Sequence, residues 1–459
     1  MDYISTRNKG KTFSFRDVFL KGLAPDGGLF VPKNLPIYTE KELKNLRKFS
    51  YKELATEIIY KFSKNEFSKD QVSDLVNKSY KNFRTDNVVL LKKIGKLNLL
   101  ELFHGPTLAF KDIAMQIIGN MYELILKKNN IKINIVVATS GDTGAAAINA
   151  IKDKKNLKIF VLHPNKKISV VQRKFMTTVK SANVFNIALD GNFDDCQKLV
   201  KSMFVNKDFS SKINMSGVNS INWSRIAVQI VYYFFSYFRT ANENEKINFS
   251  VPTGNFGDIY AGYIAKKMGL PINKLVIATN KNDILKRVVN TGNYQPKKVE
   301  HTVSPSMDIQ VASNFERLVF DLCFNDSDRT SKLMDDLNRK GEFKLNNNER
   351  KKLEETFLSE SLSETETKLV IKEIYKNEKV LIDPHTAIGI GVLKKISLKG
   401  KTIVLSTAHP SKFSAVVTKE TNSIPEIPEN LKKILDTQEK YENLSNDLNT
   451  IQNYILKKI

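Results

Sequence analysis

The chain has 459 residues, 41% hydrophobic and 9% aromatic, and carries a formal net charge of +23 at pH 7. That length is too great for one core, so two or three domains are expected, and the apolar content suits a globular protein and excludes a disordered one. Only 12 of the 72 basic residues are arginine, and the lysines are scattered without forming a stripe. The charge therefore reads as a solvated surface able to draw in anionic metabolites, and neither a nucleic acid nor a membrane is expected as a partner.

In chain order, the first twenty residues hold no apolar run long enough for a secretory signal. Residues 1–92 open on a Gly/Pro-punctuated stretch, then show helical patterns around 40–49, 51–63 and 69–83. An amphipathic helix is expected from about Asp112, on the spacing of Ile113, Ile117, Met121 and Leu124. Short β-rich runs at 133–140, 157–163 and 183–189 alternate with helices near 144–153 and 168–179, the signature of a parallel sheet covered on both faces. A long helix is expected over 223–240; its stretch IVYYFFSYF (230–238) is too short to span a membrane and reads as buried. Strand, helix and strand then recur at 247–253, 258–268 and 274–280. Residues 282–378 are mainly helical and charged, 401–410 reads as a last strand running into a helix at 411–420, and a polar helix closes the tail. Cys196 and Cys323 stand far apart, so neither a disulfide framework nor a zinc site is indicated, and a reduced, cytoplasmic setting is expected.

Five motifs carry chemistry. In FHGPTLAFKDIAMQ (103–116), Lys111 sits at a loop-to-helix junction among Leu108, Ala109 and Phe110. Desolvation there favours the neutral amine that forms a Schiff base. ATSGDTGAAA (138–147) and VPTGNFGDIYAG (251–262) both lie where a strand ends and a helix begins, where free backbone N–H groups and the helix dipole favour anions. The first offers the hydroxyls of Thr139, Ser140 and Thr143; a plain helix start capped by Asp142 or Ser140 is its bland alternative. The second, Thr253 to Gly257, lacks the Walker lysine and suits a monophosphate held by backbone N–H groups without a metal. NSINWSRIAVQ (219–229) places Arg225 six residues beyond Asn219, suited to bidentate capture of an oxyanion. STAHPSKF (406–413) ends a strand with Thr407 and His409. The five histidines lie in no nucleophile elbow. One activated lysine with two anion sites points to pyridoxal phosphate and a phosphorylated substrate.

These residues resemble the threonine synthases, pyridoxal-phosphate enzymes of the tryptophan-synthase-β-like fold, in the longer microbial class. The likeness runs from YISTR and GLAPDGGLFVP through HGPTLAFKD, TSGDTGAAA and VPTGNFGDI to STAHPSKF, and departs at Ser406, where alanine is expected. It implies an α/β chain of two αβα domains with parallel or mixed sheets: an N-terminal extension domain over 1–92, a smaller domain over 93–218, a larger one over 219–424 with a helical insertion at about 282–378, and a wrapping tail over 425–459. It implies that Lys111 carries the cofactor and shuttles protons. Thr253, Gly254, Asn255, Phe256 and Gly257 hold the cofactor phosphate, Asp142 lies beside its phenolic oxygen, and Thr407 meets the pyridine nitrogen. Thr139, Ser140, Thr143, Asn219, Ser220 and Arg225 hold the substrate's carboxylate or phosphate, which group meets which being open. The implied reaction turns O-phospho-L-homoserine and water into L-threonine and phosphate, in a monomer or homodimer. A related phospholyase that only eliminates phosphate is the alternative.

Overall fold

Runs of apolar residues in Ile247–Pro252 and Thr402–Ser406 form strands buried at every position, as central strands of a sheet covered on both faces must be. The computed structural model describes residues 1–165, 168–218 and 220–459. They fall into two units, each assembled from separate stretches of sequence. The first comprises residues 1–76, 84–104 and 220–425, the second 77–83, 105–219 and 426–459.

The first unit is built on a six-stranded sheet in the order Phe357–Ser361, Ile272–Thr279, Ile247–Pro252, Thr402–Ser406, Leu97–Glu101, Leu90–Ile94. All neighbours are parallel except the last pair, an antiparallel hairpin. Parallel neighbours need long crossovers, and the pairing of Val404 with Leu99 brings together strands some three hundred residues apart. Within the charged, largely helical stretch after 282, Phe357–Ser361 emerges as the edge strand of this sheet. The strand Thr402–Ser406 is shorter than the run at 401–410 suggests, and it is not the last, since Glu442–Leu444 follows: pairing stops at Ser406, and Thr407 lies just beyond the ladder.

The N-terminal residues of this unit form a small antiparallel sheet of Tyr3–Ser5, Asn8–Phe13 and Phe30–Pro32. Its helices start where Ser or Thr precedes an acid by three residues, so that each side chain caps the other's backbone N–H: Ser14 with Asp17, Thr39 with Glu42, Ser50 with Glu53. The helix Trp223–Thr240 is buried from Trp223 through Phe238 and so belongs to the core on all sides. Its first residue, Trp223, meets the rings of Phe62 at 5.7 Å, Tyr3 at 6.2 Å and Tyr260 at 6.5 Å.

The second unit is a five-stranded, wholly parallel sheet in the order Glu442–Leu444, Val184–Leu189, Leu157–Pro164, Ile133–Ala138, Met215–Ser216. The tail supplies its edge strand, and the closing helix Leu448–Lys458 buries Ile451 and Ile455 among Phe160, Leu162, Leu199 and Met203. What reads in sequence as a polar helix is therefore amphipathic, with a two-residue apolar stripe at i, i+4 spacing. Among the described residues, no helix is long and apolar enough to cross a membrane.

Because the Trp223 ring packs the N-terminal residues against the core helix, Trp223→Ala should destabilise the chain by about 3–5 kcal/mol. Thermal unfolding followed by circular dichroism checks this; an unchanged melting temperature would show that the ring cluster contributes little.

Candidate active site

In the second unit, the turn before the lysine is tied down by one buried carboxylate. Asp112 accepts hydrogen bonds from the Thr107 N–H (2.7 Å) and hydroxyl (2.6 Å), closing the loop onto the first turn of the helix Lys111–Asn129. A side chain at Gly105 would meet Asp112 Cβ at 2.4 Å, so only glycine leaves room for this closure. Leu108 takes a left-handed conformation (φ 61°), unusual for a branched residue and fixed here by the surrounding loop. Lys111 thus begins the helix with its side chain only 12% exposed, Nζ lying 5.0 Å from the centre of the Phe110 ring and 3.6 Å from Asp142 Oδ2.

Asp142 opens the helix Asp142–Ile151 at the end of the strand Ile133–Ala138. The helix cap is neither Asp142 nor Ser140. Gly141 occupies the cap position at φ 132°, and the buried Thr139 hydroxyl oxygen accepts from the N–H groups of Gly141 (3.0 Å) and Gly144 (2.9 Å). The Asp142 carboxylate is left to side chains: Oδ1 accepts from Gln172 Nε2 at 2.9 Å while Oδ2 faces the lysine. Ser140 and Thr143, half-buried, flank it.

In the first unit, the strand Ile247–Pro252 leads into Thr253–Phe256 and the helix Gly257–Lys267. Thr253 is held by its N–H to Ala278 O (2.8 Å) and its hydroxyl to Val251 O (2.6 Å). Phe256 adopts φ 65° at the helix start, its ring set against Phe315 and Phe357. Any Cβ at Gly254 would meet the Ser306 carbonyl oxygen at 2.4 Å. Asn314 braces the loop, its N–H and Nδ2 both donating to Asn255 O, and Nδ2 also to Ser220 O (3.3 Å). Asn314 is fixed in turn by the buried Arg317, which donates to Asn314 Oδ1 and to Ile221 O. Arg225, third residue of its helix, is 3% exposed, and burial pushes its guanidinium down to about 10. Such a cation is a strong donor to any oxyanion that reaches it.

Thr407 is buried at the end of Thr402–Ser406. Behind it, Ser406 Oγ and Thr386 Oγ1 are 2.9 Å apart, and Thr386 donates to Asp383, which also binds His385 Nδ1 at 2.7 Å. The serine hydroxyl thus completes a buried polar chain that an alanine would leave open. His409 caps the 3-10 turn Pro410–Phe413 and packs edge-on against Phe103.

Lys111, Asp142, Thr139, Ser140 and Thr143 gather in the second unit; Thr253, Gly254, Asn255, Phe256, Gly257, Thr407, Ser220 and Arg225 belong to the first; Asn219 lies outside the described residues. Sequence reading missed Gln172, Asn314, Arg317 and the Asp383–Thr386 pair. The scarcity of arginine was the one signal that could have raised Arg317. The donor set fits pyridoxal phosphate: a nearly buried amine beside a carboxylate, and a glycine-lined strand-to-helix turn that admits no side chain at Gly254. Among the described residues, no cluster of three or more metal-binding side chains occurs.

Residues 92–407 match the family model described as pyridoxal-phosphate dependent enzyme, which defines the class. Residues 2–80 and 386–455 match the models for the threonine synthase N terminus and C-terminal region. The chain belongs to the threonine synthase family. It is 41% identical to the threonine synthase of Pseudomonas aeruginosa, covering 99% of this chain and 98% of that one, and 39% identical to that of Saccharomyces cerevisiae, covering 100% and 98%. The crystal structure of pyridoxal-phosphate-bound threonine synthase from Brucella melitensis superposes with a TM-score of 0.97 at 41% identity, covering 100% of this chain and 99% of that one. The Escherichia coli enzyme gives 0.84 at 29% identity, with 100% of each chain covered.

Burial first, then Arg84, His104 and Lys412, push the His409 imidazole from 6.5 down to about 3. Protonation therefore favours the unfolded chain: the stability tied to neutral His409 is complete above pH 6.5 and is lost as pH falls through 6.5 towards 3. The melting temperature of the unaltered chain should drop more steeply between pH 6.5 and about 4 than that of His409→Gln. Parallel curves would contradict this.

Proposed function

We propose that this chain converts O-phospho-L-homoserine and water into L-threonine and phosphate, with pyridoxal phosphate bound through the Lys111 amine. The observation that carries the reading is the placement of Lys111 Nζ, 3.6 Å from the buried Asp142 carboxylate, in a chain of the threonine synthase family. When bound, the cofactor delocalises the negative charge left at the substrate's α-carbon. The protein's own groups do the rest. Lys111 Nζ holds the cofactor, then accepts and returns the α-proton, its movement limited by the Phe110 ring and directed by Asp142 Oδ2. Asp142 would also help to hold the cofactor, at its phenolic oxygen.

The N–H groups of Thr253 to Gly257 hold the cofactor phosphate, favoured by the helix start behind them. The Thr407 hydroxyl would hold the cofactor at its pyridine nitrogen. Arg225, Asn219, Ser220, Thr139, Ser140 and Thr143 bind the anionic ends of the substrate, so that reacting atoms are held before any bond changes. A small-molecule substrate is the expected partner, and the two buried thiols Cys196 and Cys323 suit a reducing, cytoplasmic compartment.

Purified, cofactor-loaded chain given O-phospho-L-homoserine should release threonine and phosphate in equal amounts. A keto acid without threonine would instead mark a phospholyase. Lys111→Ala should lose the cofactor's visible band, and borohydride should trap the cofactor on the peptide containing Lys111 in the unaltered chain. Arg225→Ala should lower kcat/KM by about 10²–10³ while cofactor content is retained. Loss of cofactor with substrate handling intact would show that Arg225 has been misplaced.

A further inference from the structure

The helix Val170–Thr177 in the second unit has no part in the chemistry described so far, yet it delivers one buried side chain to the carboxylate that faces Lys111. Gln172 is 4% exposed. Its amide orientation is fixed by chemistry at one end: a carboxylate oxygen can only accept, so Nε2 faces Asp142 Oδ1 at 2.9 Å, which leaves Oε1 to accept from the Ser169 hydroxyl at 3.0 Å. Two glycines make the approach possible. A Cβ on Gly141 would stand 3.0 Å from Gln172 Cβ, and one on Gly144 would stand 2.8 Å from Met176 Sδ on the same helix.

The far side of that helix is gripped by the C-terminal segment. Glu439 receives a two-pronged bond from Arg173, Nε at 2.8 Å and the terminal nitrogen at 3.0 Å, and accepts from the Thr177 hydroxyl at 2.8 Å. Lys174 Nζ donates to Thr437 O at 3.0 Å, and Lys440 N–H to Thr177 O at 2.6 Å. Tail, helix, amide, carboxylate and amine form one continuous series of contacts inside a single unit.

We infer that Gln172 is a positioning residue for the Lys111 amine, acting through Asp142, and that the C-terminal segment around Glu439 holds Gln172 in register. Gln172 ties one oxygen of Asp142 so that the other meets the amine at 3.6 Å, longer than a tight charged hydrogen bond. Loss of the amide donor removes one restraint on Oδ1 and lets the carboxylate bind the ammonium more closely. The inference rests on Lys111 being the cofactor lysine, and its test separates the two.

Three full-length forms are compared with the unaltered chain: Gln172→Leu, Glu439→Gln, and the exchanged pair Arg173→Glu with Glu439→Arg. In cofactor-stripped chain, labelling of Lys111 by a small amine-directed reagent at fixed mildly alkaline pH is followed by peptide mass spectrometry, normalised to the exposed Lys207. Gln172→Leu should slow it about threefold or more, Glu439→Gln should slow it less, and the exchanged pair should recover most of the rate. In cofactor-loaded chain, Gln172→Leu should move the maximum of the visible band, which a purely structural defect would weaken without moving. A fourth form, Gln172→Met, keeps nearly the same length and removes the donor, and should act in the same direction if the leucine form fails to fold. Unchanged Lys111 labelling in Gln172→Leu and Gln172→Met would overturn the inference, and a normal rate in Glu439→Gln would overturn the part given to the tail. Borohydride trapping of cofactor on a different lysine would instead overturn the underlying reading of Lys111, whatever the labelling rates.

Discussion

A lysine amine and a carboxylate, both nearly removed from water, face each other at 3.6 Å in the second unit, and much of that unit exists to make this affordable. Buried charges are costly unless paired and further hydrogen-bonded. Asp142 gains a further partner in Gln172, and Lys111 is fixed by a loop that Asp112 closes. The same pairing explains why small residues crowd here. Gly105, Gly141 and Gly144 each lie where a methyl group would strike a neighbour that the site requires.

The first unit solves a different problem with the same economy of side chains. Its strand-to-helix turn at Thr253–Gly257 has to present backbone N–H groups, so the side chains around it are spent on holding backbone. Asn314 binds the Asn255 and Ser220 carbonyls, Arg317 binds Asn314, and Phe256 turns its ring into a cluster with Phe315 and Phe357. A guanidinium buried for this purpose, like that of Arg317, is pushed down to about 10 by desolvation and so remains charged at neutral pH, and its fork reaches three separate acceptors. Ser406 follows the same logic: its hydroxyl extends the Asp383–Thr386 chain to the strand that ends at Thr407.

The tail is the clearest case of function and stability sharing one element. Its strand Glu442–Leu444 extends the parallel sheet, its last helix fills the core with Ile451 and Ile455, and between Thr437 and Lys440 it grips the helix that carries Gln172. Such a segment contributes burial first, since two isoleucines removed from water supply more than an exposed ion pair does. The Arg173–Glu439 fork then adds direction to that burial.

The sequence by itself determined the strand-to-helix junctions, the lysine segment and the buried character of the helix at 223–240, because each is written in contiguous residues whose periodicity and turn chemistry act locally. Lys111, Thr139 and the Thr253–Gly257 turn could be named on that ground, whereas Asp142 was named for the cofactor only through the family resemblance. Only the tertiary structure decided that Leu97–Glu101 lies beside Thr402–Ser406, that an edge strand emerges at Phe357 from a helical stretch, and that Gln172 reaches Asp142. It also decided that Gly141, with Thr139 behind it, caps the helix where Asp142 or Ser140 had the right chemistry, which leaves the aspartate for the lysine. The reason is physical: a parallel pairing or a buried polar contact depends on which surfaces meet after hundreds of residues of chain have been folded away, and no local pattern records the partner.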